Sequence, residues 1–137
     1  MDFSLINWWA ALVAAIAYMG VGSLWYGPLF GKQWMMYVGI TPESMKNMPL
    51  SPQVAMMGGF VTAFITATVL SYTSLFFAAV SVTDALLLAF WLWLGFVATT
   101  QAGSYLWEGR PFPLFILNAA NSLLALAIMA IIVVLWV

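Results

Sequence analysis

Gly103-Ser104-Tyr105-Leu106-Trp107-Glu108-Gly109-Arg110-Pro111 is a short polar turn held between two long apolar runs. A weaker echo stands earlier, at Gly22-Ser23-Leu24-Trp25-Tyr26-Gly27-Pro28. Each passage reads as an apolar helix that reaches a Trp, meets a Gly and is stopped by a Pro, which lacks the N–H that a continuing helix needs. The two turns divide the chain into similar halves. Their match, G-S-(x)-L-W-x-G-(x)-P with two single-residue gaps, reads either as a parallel two-helix repeat or as shared turn chemistry.

Outward from these turns the chain is almost free of charge. Of its 137 residues, 66% are hydrophobic and only 5% are charged, against about a quarter charged in soluble domains. The charges are Asp2, Lys32, Glu43, Lys46, Asp84, Glu108 and Arg110, and the runs between them measure the apolar segments. Twenty-nine uncharged residues separate Asp2 from Lys32, thirty-seven separate Lys46 from Asp84, twenty-three separate Asp84 from Glu108, and twenty-seven follow Arg110. Each interval accommodates one span of about 20 residues, and none holds two spans and a turn. The expectation is a single all-α domain, residues 1–137, forming an integral membrane four-helix bundle of two helical hairpins. Its spans fall at about 7–26, 52–77, 83–106 and 112–136, with a connector over about 30–48.

The composition also excludes chemistry. There is no Cys and no His, so disulfides, thiolate nucleophiles, Cys or His zinc sites and histidine general bases are absent. No metal and no cofactor is expected. A net charge of -1 with three basic residues gives no surface for nucleic acid. The N-terminus carries Asp2 rather than a basic region, and its apolar run is long enough to span, so it reads as a span and not as a signal peptide.

Along the chain, Asn7 is a good N-cap for the first helix, whose Ala10, Ala11, Ala14, Ala15 and Ala17 give a narrow surface for a close neighbour. Trp8, Trp9, Trp25 and Tyr26 read as aromatic belts at the two boundaries. In the connector, Phe30, Trp34 and Val38 fall at helical spacing and predict a short interfacial helix, and Thr41-Pro42-Glu43 reads as a helix start. The second helix begins at Pro52. Along it Ala55, Gly59, Ala63, Ala67 and Ser71 recur every fourth residue, a stripe that permits close backbone approach. Thr62, Thr66 and Thr73 lie beside the stripe and read either as a polar pathway or, more simply, as hydroxyls bonded to their own helix. Ser81 and Asp84 have capping-box spacing, which favours a capping role for Asp84 over a proton relay. The third helix carries Gly95, Thr99 and Gly103, with Thr100 and Gln101 beside them. On the fourth, Asn118, Asn121 and Ser122 share a face, and in an apolar helix such residues need partners, either as glue between helices or as ligand contacts.

All three basic side chains, Lys32, Lys46 and Arg110, fall on the connections between helices 1 and 2 and between helices 3 and 4. By the positive-inside rule these connections face the cytoplasm and both termini lie outside.

The chain resembles the bacterial family of small membrane proteins called DUF1761. The resemblance is carried by Asn7-Trp8-Trp9, by Gly22 through Met35, by Trp93 through Thr100, and most specifically by Trp107-Glu108-Gly109-Arg110-Pro111 followed by Leu114-Phe115 and Ile116 through Ala119. It implies a four-helix protein of the bacterial inner membrane and assigns no activity. Ala120 and Asn121 depart from the family pattern, in which an aromatic residue often follows the Asn-Ala pair. In the marked turn, Glu108 and Arg110 stand close enough to pair with each other or with Lys32, Gly109 permits the bend, and Trp107 sets its depth, so the motif reads as a structural clasp.

Two functions remain in view. One is a small oligomeric transporter or channel for neutral or amphiphilic solutes, lined by Thr62, Thr66, Thr99, Gln101, Asn118 and Asn121. No ionisable residue is expected in mid-membrane, which disfavours coupled cation export. The other is a non-transporting accessory subunit of a larger membrane complex that docks through the Ala55 to Ser71 stripe. An enzyme is not expected, because no nucleophile stands beside a base.

Overall fold

The computed structural model describes residues 2–136, and among them every regular element is helical. Four helices are long and apolar enough to cross a membrane: α1 (Trp8–Leu29), α4 (Pro52–Phe76), α5 (Val82–Leu106) and α6 (Phe112–Leu135). Two short helices, α2 (Gly31–Val38) and α3 (Pro42–Lys46), fill the connector. They match the interfacial helix over Phe30 to Val38 and the helix start at Thr41-Pro42-Glu43 read from the sequence: Gly39 ends α2 in the left-handed region (φ 80°), and Thr41 then caps α3 with Ser44 in a reciprocal box.

The helix starts follow from their caps. The Asn7 side-chain oxygen accepts from the Ala10 N–H at 3.1 Å, and its amide donates to the Trp136 carbonyl at 3.1 Å, joining the start of α1 to the end of α6. Just before it, the Ser4 hydroxyl and N–H both donate to Asp2, holding that exposed carboxyl below its usual range. Ser51 caps α4 by accepting from the Val54 N–H. At α5, Ser81 accepts from the Asp84 N–H while the Asp84 carboxylate accepts from the N–H groups of Val80 and Ser81, each at 3.0 Å. Asp84 is therefore a cap.

Pro28 does not stop α1. The helix widens instead into a π turn over Trp25–Leu29 with Pro28 inside it, and the Phe30 N–H reaches back to the Trp25 carbonyl at 2.8 Å. The wider turn accommodates a residue that has no N–H to donate. The later Trp-Gly-Pro passage takes another form. The helix ends near Trp107, Gly109 turns left-handed (φ 66°), and Pro111 precedes the first turn of α6. A second π turn, Trp93–Ala98, interrupts α5.

Between α4 and α5 the chain turns through Ala78, a non-glycine residue at φ 53°. The Ala79 N–H closes the turn on the Ser74 carbonyl at 2.9 Å. A left-handed L-residue costs about 1 kcal/mol that glycine avoids. Ala78→Gly is expected to raise stability by about 1 kcal/mol, measured by SDS-induced unfolding in mixed micelles. An unchanged or lowered midpoint would contradict the strain at this position.

Helix α6 is the centre of the packing, with α1, α4 and α5 all against it, and α1 also packs along α4. Helix α5 leans chiefly on α6. An open groove of about 410 Å³ runs between α4 and α5, lined by Ile65, Thr66, Val69, Leu92, Phe96 and Val97 among others. The buried core joins Ala11 and Ala14 of α1, Ala67 and Leu70 of α4, Ala85 and Ala89 of α5, and Leu126, Met129, Ala130, Val133 and Val134 of α6. These positions belong to the start of α1 and α5 and the end of α4 and α6, so the core fills the half of the molecule that holds the termini. Alanines dominate it because, without a hydrophobic force between helices in lipid, dispersion at short range must supply the attraction.

Candidate functional site

The other half of the molecule is held together differently. Where α1 ends, where α5 ends and where α6 begins, polar side chains meet between helices. The widened turn at the end of α1 presents Trp25 and Tyr26 to α6. The Tyr26 hydroxyl donates to Asn118 Oδ1 at 2.7 Å, and the Trp25 indole N–H donates to the Leu117 carbonyl at 3.2 Å. From α5, the π turn brings the Trp93 indole N–H to the Ala119 carbonyl at 2.8 Å. Two turns on, Gln101 Nε2 donates to the Ser122 hydroxyl oxygen at 2.9 Å. Ser122 donates in turn to the Asn118 carbonyl one helical turn back, and Ser104 donates to the Gln101 carbonyl, each at 2.9 Å. Two helices, α1 and α5, are thus fastened to one stretch of α6, residues 117–122.

Two atoms of this cluster stand out. Gln101 Oε1 and Asn121 Oδ1 are buried and accept no hydrogen bond. Asn121 is only 6% exposed, among the few polar side chains so deeply placed. A buried amide oxygen without a donor costs about 1–3 kcal/mol.

Of the six polar residues read from the sequence as a lining, Gln101, Asn118 and Asn121 come together here. Thr62, Thr66 and Thr99 do not join them. Their side chains lie on exposed faces and donate to the carbonyls of Gly59, Thr62 and Gly95 on their own helices, at 2.8, 3.0 and 2.7 Å. Such back-bonding satisfies a hydroxyl without any partner helix. Thr99 and Thr100 donate to carbonyls inside the π turn, of Gly95 and Phe96, and so stabilise the widened segment locally.

The stripe on α4 divides. Ala63, Ala67 and Ser71 are buried inside the molecule, Gly59 is half-buried with the Met19 side chain nearby, and Ala55 is exposed. Most of the stripe is therefore internal packing, and the surface on which an accessory role was to rest is already occupied. In the clasp, Arg110 Nε lies 3.3 Å from Glu108 Oε2 with both side chains largely exposed, a geometry that contributes little stability. Glu108 pairs within the turn rather than with Lys32. Trp107 is 88% exposed, and the Tyr105 ring meets Phe112 edge-on at 5.2 Å, tying the two sides of the turn.

The sequence reading missed the aromatic donors. Trp25 and Tyr26 read as boundary markers and Trp93 has no assigned role there, yet each gives its polar hydrogen to α6. The available signal was chemical: a buried Trp or Tyr needs a partner for its N–H or O–H, and polar residues facing it supply one. Ser122 was placed on the right face but without its link to Gln101. Beside the cluster, a groove of about 550 Å³ lies between α2 and the start of α6, lined by Trp25, Phe30, Gln33, Tyr37, Ile116 and Leu117 among others. Trp25 and Leu117 form the wall common to both.

Comparison with curated proteins and with solved structures returns no match. A family model described as a protein of unknown function matches residues 9–134, nearly the whole chain and every residue of the polar cluster. On that match the chain belongs to the DUF1761 family.

Proposed function

We propose that the protein is a multi-pass membrane protein of transporter or channel type that takes a neutral or amphiphilic solute into the cluster of Tyr26, Gln101, Asn118, Asn121 and Ser122. The observation that carries this reading is the pair of buried amide oxygens without donors, because a polar group kept unsatisfied in an apolar setting is accounted for by a partner it meets during function. The groove beside Trp25 offers the apolar part of an amphiphile a place next to the polar one. The alanine-lined core closes the opposite half, so a bound solute reaches the far side only through a rearrangement or along a contact between copies, and we take the working form to be a homo-oligomer in the bacterial inner membrane. On this reading the two basic connections face the cytoplasm, and the cluster opens toward that side.

The test uses side-chain amide NMR of the protein in phosphatidylcholine nanodiscs, with octylurea, octanol and octyl glucoside as probes. Saturable shifts are expected at the amide groups of Gln101, Asn118 and Asn121 and at the indoles of Trp25 and Trp93. Tyr26→Phe and Asn118→Ala are expected to weaken them by about tenfold, the equivalent of one hydrogen bond lost to a buried partner. If no probe shifts these signals, or if both variants respond like the native chain, the binding reading is wrong.

A further inference from the structure

The hydrogen-bond inventory of the cluster also limits what kind of group it takes. The Ser122 hydroxyl donates to the Asn118 carbonyl, so its oxygen faces Gln101 as an acceptor, and Gln101 Nε2 fills that role. This sets the orientation of the Gln101 amide. With Nε2 held by Ser122, Oε1 is the atom left without a donor, and reversing the amide would set two acceptors face to face. The Tyr26 hydroxyl is committed to Asn118 Oδ1, the Trp25 and Trp93 indoles to backbone carbonyls, and the Ser104 hydroxyl to the Gln101 carbonyl. What stays without a partner among the described residues is Gln101 Oε1 and the whole Asn121 amide, whose Oδ1 is buried, together with the Asn118 Nδ2 group, since Asn118 Oδ1 alone is engaged, by Tyr26.

A fixed free acceptor beside a free amide is matched by a ligand that donates and accepts. The cluster contains no carboxylate and no basic side chain; of the charged residues nearest to it in sequence, Glu108 and Arg110 are exposed and paired with each other, and Lys32 is exposed. A cation held there would have two neutral oxygens and no counter-charge, which does not offset the loss of its hydration. An anion would lack a counter-charge in the cluster in the same way. We infer that the ligand is a neutral molecule that both donates and accepts hydrogen bonds, of the urea, primary amide or vicinal diol kind, donating to Gln101 Oε1 and meeting the free amide of Asn121. This rests on the binding reading above and adds the chemical class to it.

Three probes with the same tail separate the classes: octylurea, octylammonium and octanoate, titrated calorimetrically against the protein in phosphatidylcholine nanodiscs. Octylurea is expected to bind saturably, and the two ions about tenfold more weakly or not at all. Gln101→Met and Asn121→Leu are each expected to weaken octylurea by about tenfold, while the unfolding midpoint of Asn121→Leu stays level or rises, because the variant removes an acceptor that has no donor in the free protein. If either ion binds as tightly as octylurea, the neutral-ligand inference is overturned and the binding reading stands. If no probe binds, both fall. If Asn121→Leu and Gln101→Met keep native octylurea affinity, the two amides do not receive the ligand, and the inference is overturned even though binding occurs.

Discussion

Ala67→Leu is expected to lower stability by about 3 kcal/mol, the largest effect of any single substitution considered for this chain. Ala67 has no exposed surface and lies in the same buried cluster as Ala11, Ala14, Met129 and Ala130. Three added carbons there must push α4 away from α1 and α6. In lipid the separated helices regain no hydrophobic compensation, since the contact was made of short-range dispersion from the outset. The comparison that isolates the effect is Ala55→Leu, three turns earlier on the same stripe, where the side chain is exposed and a change within about 0.5 kcal/mol is expected. SDS-induced unfolding of both variants decides the matter. Equal losses at the two positions would show that the stripe acts as one surface and not as a buried half and a free half.

Gly31→Ala is expected to cost about 2 kcal/mol and, less obviously, to weaken ligand binding about tenfold. Gly31 opens α2, outside the four long helices, and its own backbone angles suit any residue. The constraint is space: a Cβ built on it would lie 2.8 Å from the Tyr26 carbonyl oxygen, a backbone atom that moves only if the widened turn moves. Tyr26 sits in that turn and supplies the hydroxyl that holds Asn118 at 2.7 Å. Strain placed in the connector therefore arrives at the cluster. Gly27→Ala is the control, because a Cβ there meets nothing within 4 Å. Unfolding midpoints together with octylurea titration check both parts, and native binding in Gly31→Ala would mean that the turn yields without carrying Tyr26 along.

The fold was legible in the sequence to the extent that it depends on charge and on capping. Seven charges bracket four apolar intervals. Because an unpaired charge cannot be left in hydrocarbon, the long helices fall within those brackets, save that α5 starts two residues before Asp84, which caps its first turn. Asn7, Thr41, Ser51 and Ser81 each cap a helix by a local bond that needs no knowledge of the rest of the fold. The candidate site was legible only in part. Asn118 and Asn121 had to find something, but what they would find depended on which helix lay opposite and at what rotation. The rotation was hidden by the two π turns, since apolar periodicity assumes a regular winding and aromatic residues such as Trp93 fit either winding equally well. The threonines allowed two readings, and the simpler one holds: spacing placed Thr62 and Thr66 on one face of α4, but a hydroxyl that can reach its own helix has no need of a second one.

The wide turn at Trp93–Ala98 bears on more than its own hydrogen bonds. One surplus residue wound into a helix rotates everything beyond it by roughly 100° relative to an unbroken α-helix. Gln101 lies just past that insertion, so its meeting with Ser122 is a matter of phase, set by a preceding segment that makes no side-chain hydrogen bond to either residue. A descendant chain that lost a single residue there would keep its length across the bilayer to within one rise, retain its apolar character throughout, and present a different edge of α5 to α6.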